Sequence, residues 1–413
     1  MKLSTVILAL KLPADFLIVI LRYFIFGGIK ARKYRRSLSK LLKLTLYRFA
    51  LSVPIQDTKW LSPYSNDFLV KRAFPIVAPL LVKDLPGYGE RYDANSIWLV
   101  KQPNRSPDDP VIIYLHGGGF FLQTMPQQLK FILSTYHLLT PEKKKKTSIL
   151  LLDYKLASRG YTFPTQMLQL DQTYERLVQE NNKNIVLMGD SAGGNMAVGL
   201  TQFFQAKEEP VQYPSKLILF SPWMKLAPLP YDMTESSSWK QCEDYDLIHH
   251  SKFGDISQLA LIIGKKDPFS LIWSPMGKNP RQRSDWETIP SYSDPNYDVF
   301  VLVGEDESFR DDVLEWAKYA LDVPFHGTHS YGTEKGYTEE RYSFVRRNQP
   351  GKANVNLHVE PQGLHDAILF FEDTVHKQVG AGLKKGKPIT VEEIDQKEYF
   401  GVYRLVKYLN ERL

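Results

Sequence analysis

The chain has 413 residues, 43% of them hydrophobic and 24% charged, which is the composition of a globular protein large enough for one α/β domain with a lid or for two smaller domains. Its single cysteine, Cys242, excludes an intramolecular disulfide framework, and no His-rich ligand spacing surrounds it, so no metal is expected there. The formal charge of +6 is uneven: twelve Lys/Arg against Asp15 and Asp57 give residues 1–60 a net +10 and leave −4 for the rest, a distribution suited to an anionic membrane surface and not to nucleic acid.

At the N-terminus, Leu3–Leu10 and Phe16–Ile29 are apolar stretches broken by Lys11, Pro13, Asp15 and Arg22. A spanning helix needs about 20 largely apolar residues, so neither stretch suffices alone. Together, Ser4–Ile29 would span with Arg22 snorkelling and Asp15 near an interface. No small-x-small cleavage site follows, which argues against a removable signal peptide. Residues 1–30 are therefore expected to anchor the chain to a membrane, and Leu41–Val53 to lie on the same surface as an amphipathic helix. The basic cluster follows the apolar segment, which by charge alone puts the body on the cytosolic side.

Residues 31–413 read as the catalytic domain, with a cap drawn from 31–95 and 226–291 and an insertion at 322–354. From about residue 97 short apolar runs alternate with helical patterns, as in a mostly parallel sheet. Ser96–Lys101, Val111–Leu115, Ser148–Leu152, Ile185–Met188, Lys216–Phe220, Val299–Val303 and Val355–Val359 read as strands. Gln166–Gln179, Ala192–Gln205 and Asp311–Leu321 read as helices, and Lys143–Lys146 as a short solvated loop. Leu226–Ser291 and Asp322–Asn354 fit the alternation poorly, and long loops of that kind are commonly lids or functional insertions.

Two glycine-rich motifs carry the chemistry. Gly189-Asp190-Ser191-Ala192-Gly193 lies between a strand and a helix, the setting of a nucleophile elbow, in which a strained turn exposes Ser191 and the glycines avoid clashes. His116-Gly117-Gly118-Gly119-Phe120 directly follows another strand. Three successive glycines let backbone N–H groups approach a substrate oxygen, so Gly117, Gly118 and Gly119 with Ala192 are expected to form an oxyanion hole. His116 is expected to orient that loop. A phosphate-binding loop would need a different glycine and lysine pattern.

A base and an acid should follow the nucleophile along the chain. His326, His329, His358, His365 and His376 lie beyond Val299–Val303. His365 sits in a loop between a late strand and the apolar start Ala367–Phe371, where it can reach the elbow; His358 falls inside the strand, and His326 and His329 in the insertion. Among the carboxylates after Val299–Val303, spacing leaves Asp306 and Glu307 as equal candidates for the acid. Phe120, Phe121, Leu122 and Trp223 either line a lipophilic pocket or pack the core.

These landmarks resemble the hormone-sensitive-lipase-like branch of the α/β hydrolases over roughly Trp98–Phe371. The resemblance rests on HGGGF at 116–120, Asp153-Tyr154-Lys155-Leu156-Ala157 with Phe163-Pro164, GDSAGGN at 189–195, Ser221-Pro222-Trp223, Arg310-Asp311-Asp312 and Gly363-Leu364-His365. It implies an α/β-hydrolase fold and a serine esterase that uses no metal or organic cofactor. In that family the acid precedes the Arg-Asp pair as D-x-x-R-D, which here falls on Glu307, a departure from Asp. The N-terminal segment and the insertion are further similar to the fungal steryl acetyl hydrolases. That similarity implies a lipophilic sterol-acetate substrate, an endoplasmic reticulum membrane anchor and a lumenal body, against the charge argument. Asn104-Arg105-Ser106, a glycosylation pattern followed by Pro107, would be usable only in the lumen. The alternatives are a non-catalytic receptor for a lipophilic ligand, or an amidase or transacylase with the same triad.

Overall fold

A computed structural model describes residues 2–28, 32–207, 210–277, 281–325 and 337–413. One sheet runs through the chain. Its strands are β1 (Arg91–Asp93), β2 (Ser96–Val100), β3 (Val111–Leu115), β4 (Ser148–Leu152), β5 (Ile185–Asp190), β6 (Lys216–Phe220), β7 (Asp298–Gly304), β8 (Ser343–Arg346) and β9 (Asn354–Glu360), in the order β1-β2-β4-β3-β5-β6-β7-β9-β8. From β4 through β9 the pairing is parallel, and β1, β2 and β8 add antiparallel edges. Parallel strands need crossover helices, and helices on both faces bury the strands completely, so β3–β7 are unbroken apolar runs and not alternating ones. This is the α/β-hydrolase arrangement.

The register aligns the carboxyl ends of the functional strands. Leu115 pairs with Gly189, Asp190 with Phe220, and Gly304 with Glu360. The loops after β3, β5, β7 and β9 therefore emerge on one edge, where open α/β sheets bind ligands.

Several expectations change. The segment 322–354 is not wholly an insertion over the site: it supplies β8, which pairs Ser343 with His358 and closes the sheet edge. His326 and His329 lie outside the described residues. Lys143–Lys146 is not a loop but the end of a short helix, Pro141–Lys146, whose Thr140 hydroxyl accepts from the Lys143 N–H. The N-terminal stretches are not separate; Pro13, Asp15 and Arg22 sit inside one helix, α1 (Leu3–Phe26). Its 24 residues have a mean hydropathy of 2.0 in the most apolar window, and its length of about 36 Å can cross a hydrocarbon core of about 30 Å.

The next helix, α2 (Leu38–Ser52), is not a membrane-surface helix, because Leu41, Leu44 and Tyr47 are buried against the body and α1 packs on it. Ser37 caps it by accepting from the Lys40 N–H. The basic cluster is likewise partly turned inward. Lys33 pairs with buried Glu360 at 2.5 Å and Lys43 with Asp373 at 2.7 Å, while the Arg48 guanidinium donates to the carbonyls of Glu243 and Asp244. Sequence charge cannot distinguish these from lysines facing lipid, since their partners lie hundreds of residues away.

Removing one side of a shielded pair leaves the other desolvated charge unpaired. Lys33→Ala and Lys43→Ala are each expected to destabilise the fold by about 2 kcal/mol, less than for a fully buried pair because both lysines are partly exposed. Arg36→Ala, at a side chain without such a pair among the described residues, should change denaturant unfolding little.

Candidate active site

The turn between β5 and the helix Ala192–Gln205 holds Ser191 at φ 50°, ψ −113°, a backbone conformation that costs energy in a non-glycine residue. Packing enforces it. A Cβ on Gly193 would collide with the Leu115 carbonyl at the end of β3, and one on Gly189 with the Gly193 backbone. Only glycine allows the helix N-terminus to approach the sheet this closely. The Ser191 N–H is held by the Phe220 carbonyl at 2.9 Å, which fixes the turn to the next strand.

His365 reaches the turn from the loop after β9. Its Nε2 lies 3.0 Å from Ser191 Oγ, within hydrogen-bond range for a base and its nucleophile. On its other side, Nδ1 faces Glu307 Oε1 at 3.7 Å. That separation is ion-pair range and longer than a hydrogen bond, yet neither atom has another hydrogen-bond partner among the described residues, and both are buried. Catalytic hydrogen bonds in ligand-free sites are often long and tighten on substrate binding. Glu307 is itself oriented: its other oxygen accepts from the Ser221 hydroxyl at 2.6 Å and from the Gly304 N–H at 2.7 Å. Asp306, the competing acid, instead places its charge near Arg310, Cys242 and Tyr34.

The glycine loop lies beside Ser191. Gly118 and Gly119 take φ 108° and 61°, and both line the cavity at Ser191 with their backbone. Gly117 packs against the Asp190 carboxylate, which accepts from the Tyr114 hydroxyl at 2.5 Å and Gln128 Nε2 at 2.9 Å. Unlike Gly118 and Gly119 it does not line the cavity, so the candidate donors nearest Ser191 are Gly118, Gly119 and Ala192. His116 stacks on Tyr154 at 4.2 Å, and its Nδ1 lies 2.8 Å from the Gly117 carbonyl. Burial pushes its pKa down to about 4, so it stays neutral and can hold the loop by a hydrogen bond.

Two carboxylates escaped the sequence reading. Asp246, fully buried, accepts from the backbone N–H groups of His365 at 2.9 Å and Ser308 at 2.8 Å, so it joins the loops bearing the base and the candidate acid. Asp366 Oδ2 lies 3.2 Å from His365 Nε2. Burial lowers the His365 pKa, but the Asp366 charge, with Glu307, outweighs it and raises the pKa well above 6.5. Burial pushes Asp366 itself up to about 6, with His365 opposing. Only the position of Asp366, adjacent to His365, hinted at this role.

The cavity over Ser191 measures about 40 Å³. A water needs roughly 10–15 Å³ on this measure, so the space takes about three such groups. Leu122, Leu247 and Phe253 wall it, with Tyr47 and Leu51 from α2. Phe121 and Trp223 line an adjacent smaller hollow, and Phe120 packs edge-on to Phe163 in the core. Among the described residues, the ligand atoms of Glu243, His249 and His250 lie within 4.8 Å of one another, but they are not part of this cavity.

Two outcomes test the geometry. Glu307→Gln is expected to lower kcat/KM by about 10⁴, as loss of the orienting acid does in other triads, and Asp306→Asn far less. The base must be neutral, so kcat/KM should fall as pH drops through the raised His365 pKa. Asp366→Asn removes the leading charge that raises it, so the acidic limb of the pH profile should move to lower pH.

A family model described as steryl acetyl hydrolase matches residues 88–339. A putative steryl acetyl hydrolase, mug81, of Schizosaccharomyces pombe is 31% identical over 243 residues, 56% of this chain and 62% of that protein. Steryl acetyl hydrolase 1 of Saccharomyces cerevisiae is 32% identical over 119 residues, 28% of this chain and 27% of that protein. The matched segment thus spans less than two thirds of either relative. An esterase from the bacterial hormone-sensitive lipase family superposes with a TM-score of 0.53 at 18% identity, over 90% of this chain and 96% of that one. A hormone-sensitive lipase from a metagenome library gives 0.51 at 14% identity, over 93% and 99%. At these identities the solved structures share the fold.

Proposed function

This chain belongs to the steryl acetyl hydrolase family, and from that premise we propose that it is a serine hydrolase cleaving short-acyl esters of lipophilic alcohols, sterol acetates foremost. The observation that carries the reading is the 3.0 Å approach of His365 Nε2 to Ser191 Oγ at a strained elbow. Ser191 attacks the ester carbonyl as His365 takes its proton. Glu307 holds the imidazole with Nδ1 protonated and stabilises the imidazolium that forms. The tetrahedral oxyanion sits against the N–H groups of Gly118, Gly119 and Ala192, which point at it without reorganisation. His365 returns the proton to the departing alcohol, and water, activated by the same base, releases acetate and regenerates Ser191.

The dimensions of the cavity support the acyl preference. A space for about three water-sized groups suits the three heavy atoms of an acetyl, whereas a long chain would have to displace buried walls. The membrane part of the reading draws on α1, whose length and exposed apolar side chains suit a bilayer where such esters dissolve. An anchor in the endoplasmic reticulum with a lumenal body is the placement that the resemblance favours.

A fluorophosphonate should label Ser191 in the wild type, and Ser191→Ala should abolish labelling and turnover. With one sterol in detergent micelles, the acetate should be cleaved with a kcat/KM more than about 100-fold above the palmitate. Turnover by Ser191→Ala would overturn the serine mechanism, and equal rates on the two esters would overturn the acyl preference.

A further inference from the structure

A cleft remote from Ser191 lies between α1 and α2. It is a groove of about 670 Å³, lined also by Asp244 of the segment after Cys242. Three guanidiniums line it, those of Arg22, Arg35 and Arg48. Arg35 donates to the carbonyls of Gly27 and Phe26 at 3.1 and 3.0 Å, and Arg48 to those of Glu243 and Asp244. Backbone carbonyls fix Arg35 in position without neutralising it, whereas Arg48 also faces the charges of Asp246 and Asp244. The Arg22 side chain has no partner among the described residues. Against them stand the carboxylates of Asp15, which lies 3.7 Å from Lys11, and Asp244. The balance in the groove is cationic.

The same groove has an apolar side. Ile18, Val19 and Phe26 of α1 and Leu44 of α2 line it. Beyond it, the exposed face of α1 continues the apolar surface through Leu21, Phe24 and Ile25. Guanidiniums gathered from α1, α2 and the turn between them, next to an apolar wall, match an amphiphile with an anionic head. Guanidinium is suited to bidentate pairing with phosphate oxygens.

We propose that this groove binds one anionic glycerophospholipid. Its phosphodiester lies among Arg22, Arg35 and Arg48, and an acyl chain runs along Ile18, Val19 and Phe26. The assignment rests on reading α1 as a membrane helix, whose last turn would lie at headgroup level. A lipid seated there touches α2 and the segment at Asp244, the outer sides of two elements that wall the Ser191 cavity through Tyr47, Leu51 and Leu247.

The test uses the full-length protein in neutral detergent, with binding of soluble dihexanoyl phosphatidylserine followed by native mass spectrometry and calorimetry. One molecule should bind, about tenfold or more tighter than dihexanoyl phosphatidylcholine. Arg22→Gln, at an exposed position, should weaken it by about tenfold, and Thr45→Glu, which places a carboxylate in the groove, should abolish it. Lys145→Gln, on a remote helix, should leave it unchanged. Equal binding of the two lipids, or unchanged binding in both groove variants, would overturn the proposal. Displacement by an equal concentration of inorganic phosphate would also overturn it, since the site would then recognise phosphate alone. Carbonate-resistant retention on phosphatidylcholine vesicles, in the wild type and Arg22→Gln alike, tests the membrane reading separately. Loss of that retention with serine-lipid binding intact would remove the membrane reading and not the groove.

Discussion

The site depends on one close approach: the backbone of Gly193 packed against the Leu115 carbonyl at the end of β3. No side chain fits between them. The contact sets how deeply the helix Ala192–Gln205 sits against the sheet, and Ser191 is thereby bent into φ 50° with its hydroxyl over the strand ends. It also puts the elbow beside the glycine loop, which leaves β3 at that point. Asp190 secures the pair, since one buried carboxylate accepts from Tyr114 of β3 and from Gln128 and packs against Gly117 of the loop. The candidate nucleophile and the glycine loop are thus parts of one packed unit, and the strain at Ser191 is sustained by the surrounding packing.

The candidate base and candidate acid are organised differently. They arrive on two loops from neighbouring strands, β9 and β7, whose register puts Gly304 beside Glu360. Register alone does not orient side chains. Asp246 does more of that, by accepting an N–H from each loop, and it comes from the region that also supplies Leu247, Ile248 and Phe253 to the cavity wall. The covering segment is therefore bonded to the loops beneath it. A rearrangement of that cover would reach the imidazole through two hydrogen bonds.

What the sequence makes legible is local. The strands of a doubly covered sheet are continuous apolar runs, and the glycine-flanked Ser191 and the triple glycine follow such runs directly, so position and chemistry can be read together. His365 is legible for the same reason, as a histidine in a short loop after a late strand. Spacing could not separate Asp306 from Glu307, because both follow the same strand and only side-chain direction distinguishes them. Asp246 leaves no pattern in the sequence, since its partners are backbone N–H groups far along the chain. The inward-facing lysines and the continuity of α1 through Pro13 were misread for a related reason: charge and breakers were counted along the chain, while Glu360 and Asp373 act across it. Edge strand β8 is short and half-exposed, too weak a signal to recognise in a polar segment.

Helix α2 has two faces with different neighbours. One closes on the cavity at Ser191 through Tyr47 and Leu51, and the other lies against the apolar helix α1. The wall of the Ser191 cavity is therefore also the backing of the apolar helix α1. Trimming away α1 to obtain a more tractable enzyme would leave that wall supported from one side only. Selectivities measured on such a shortened protein would describe a looser gauge than that of the full chain, and whatever solvates the apolar face of α1 would enter the substrate profile as a variable in its own right.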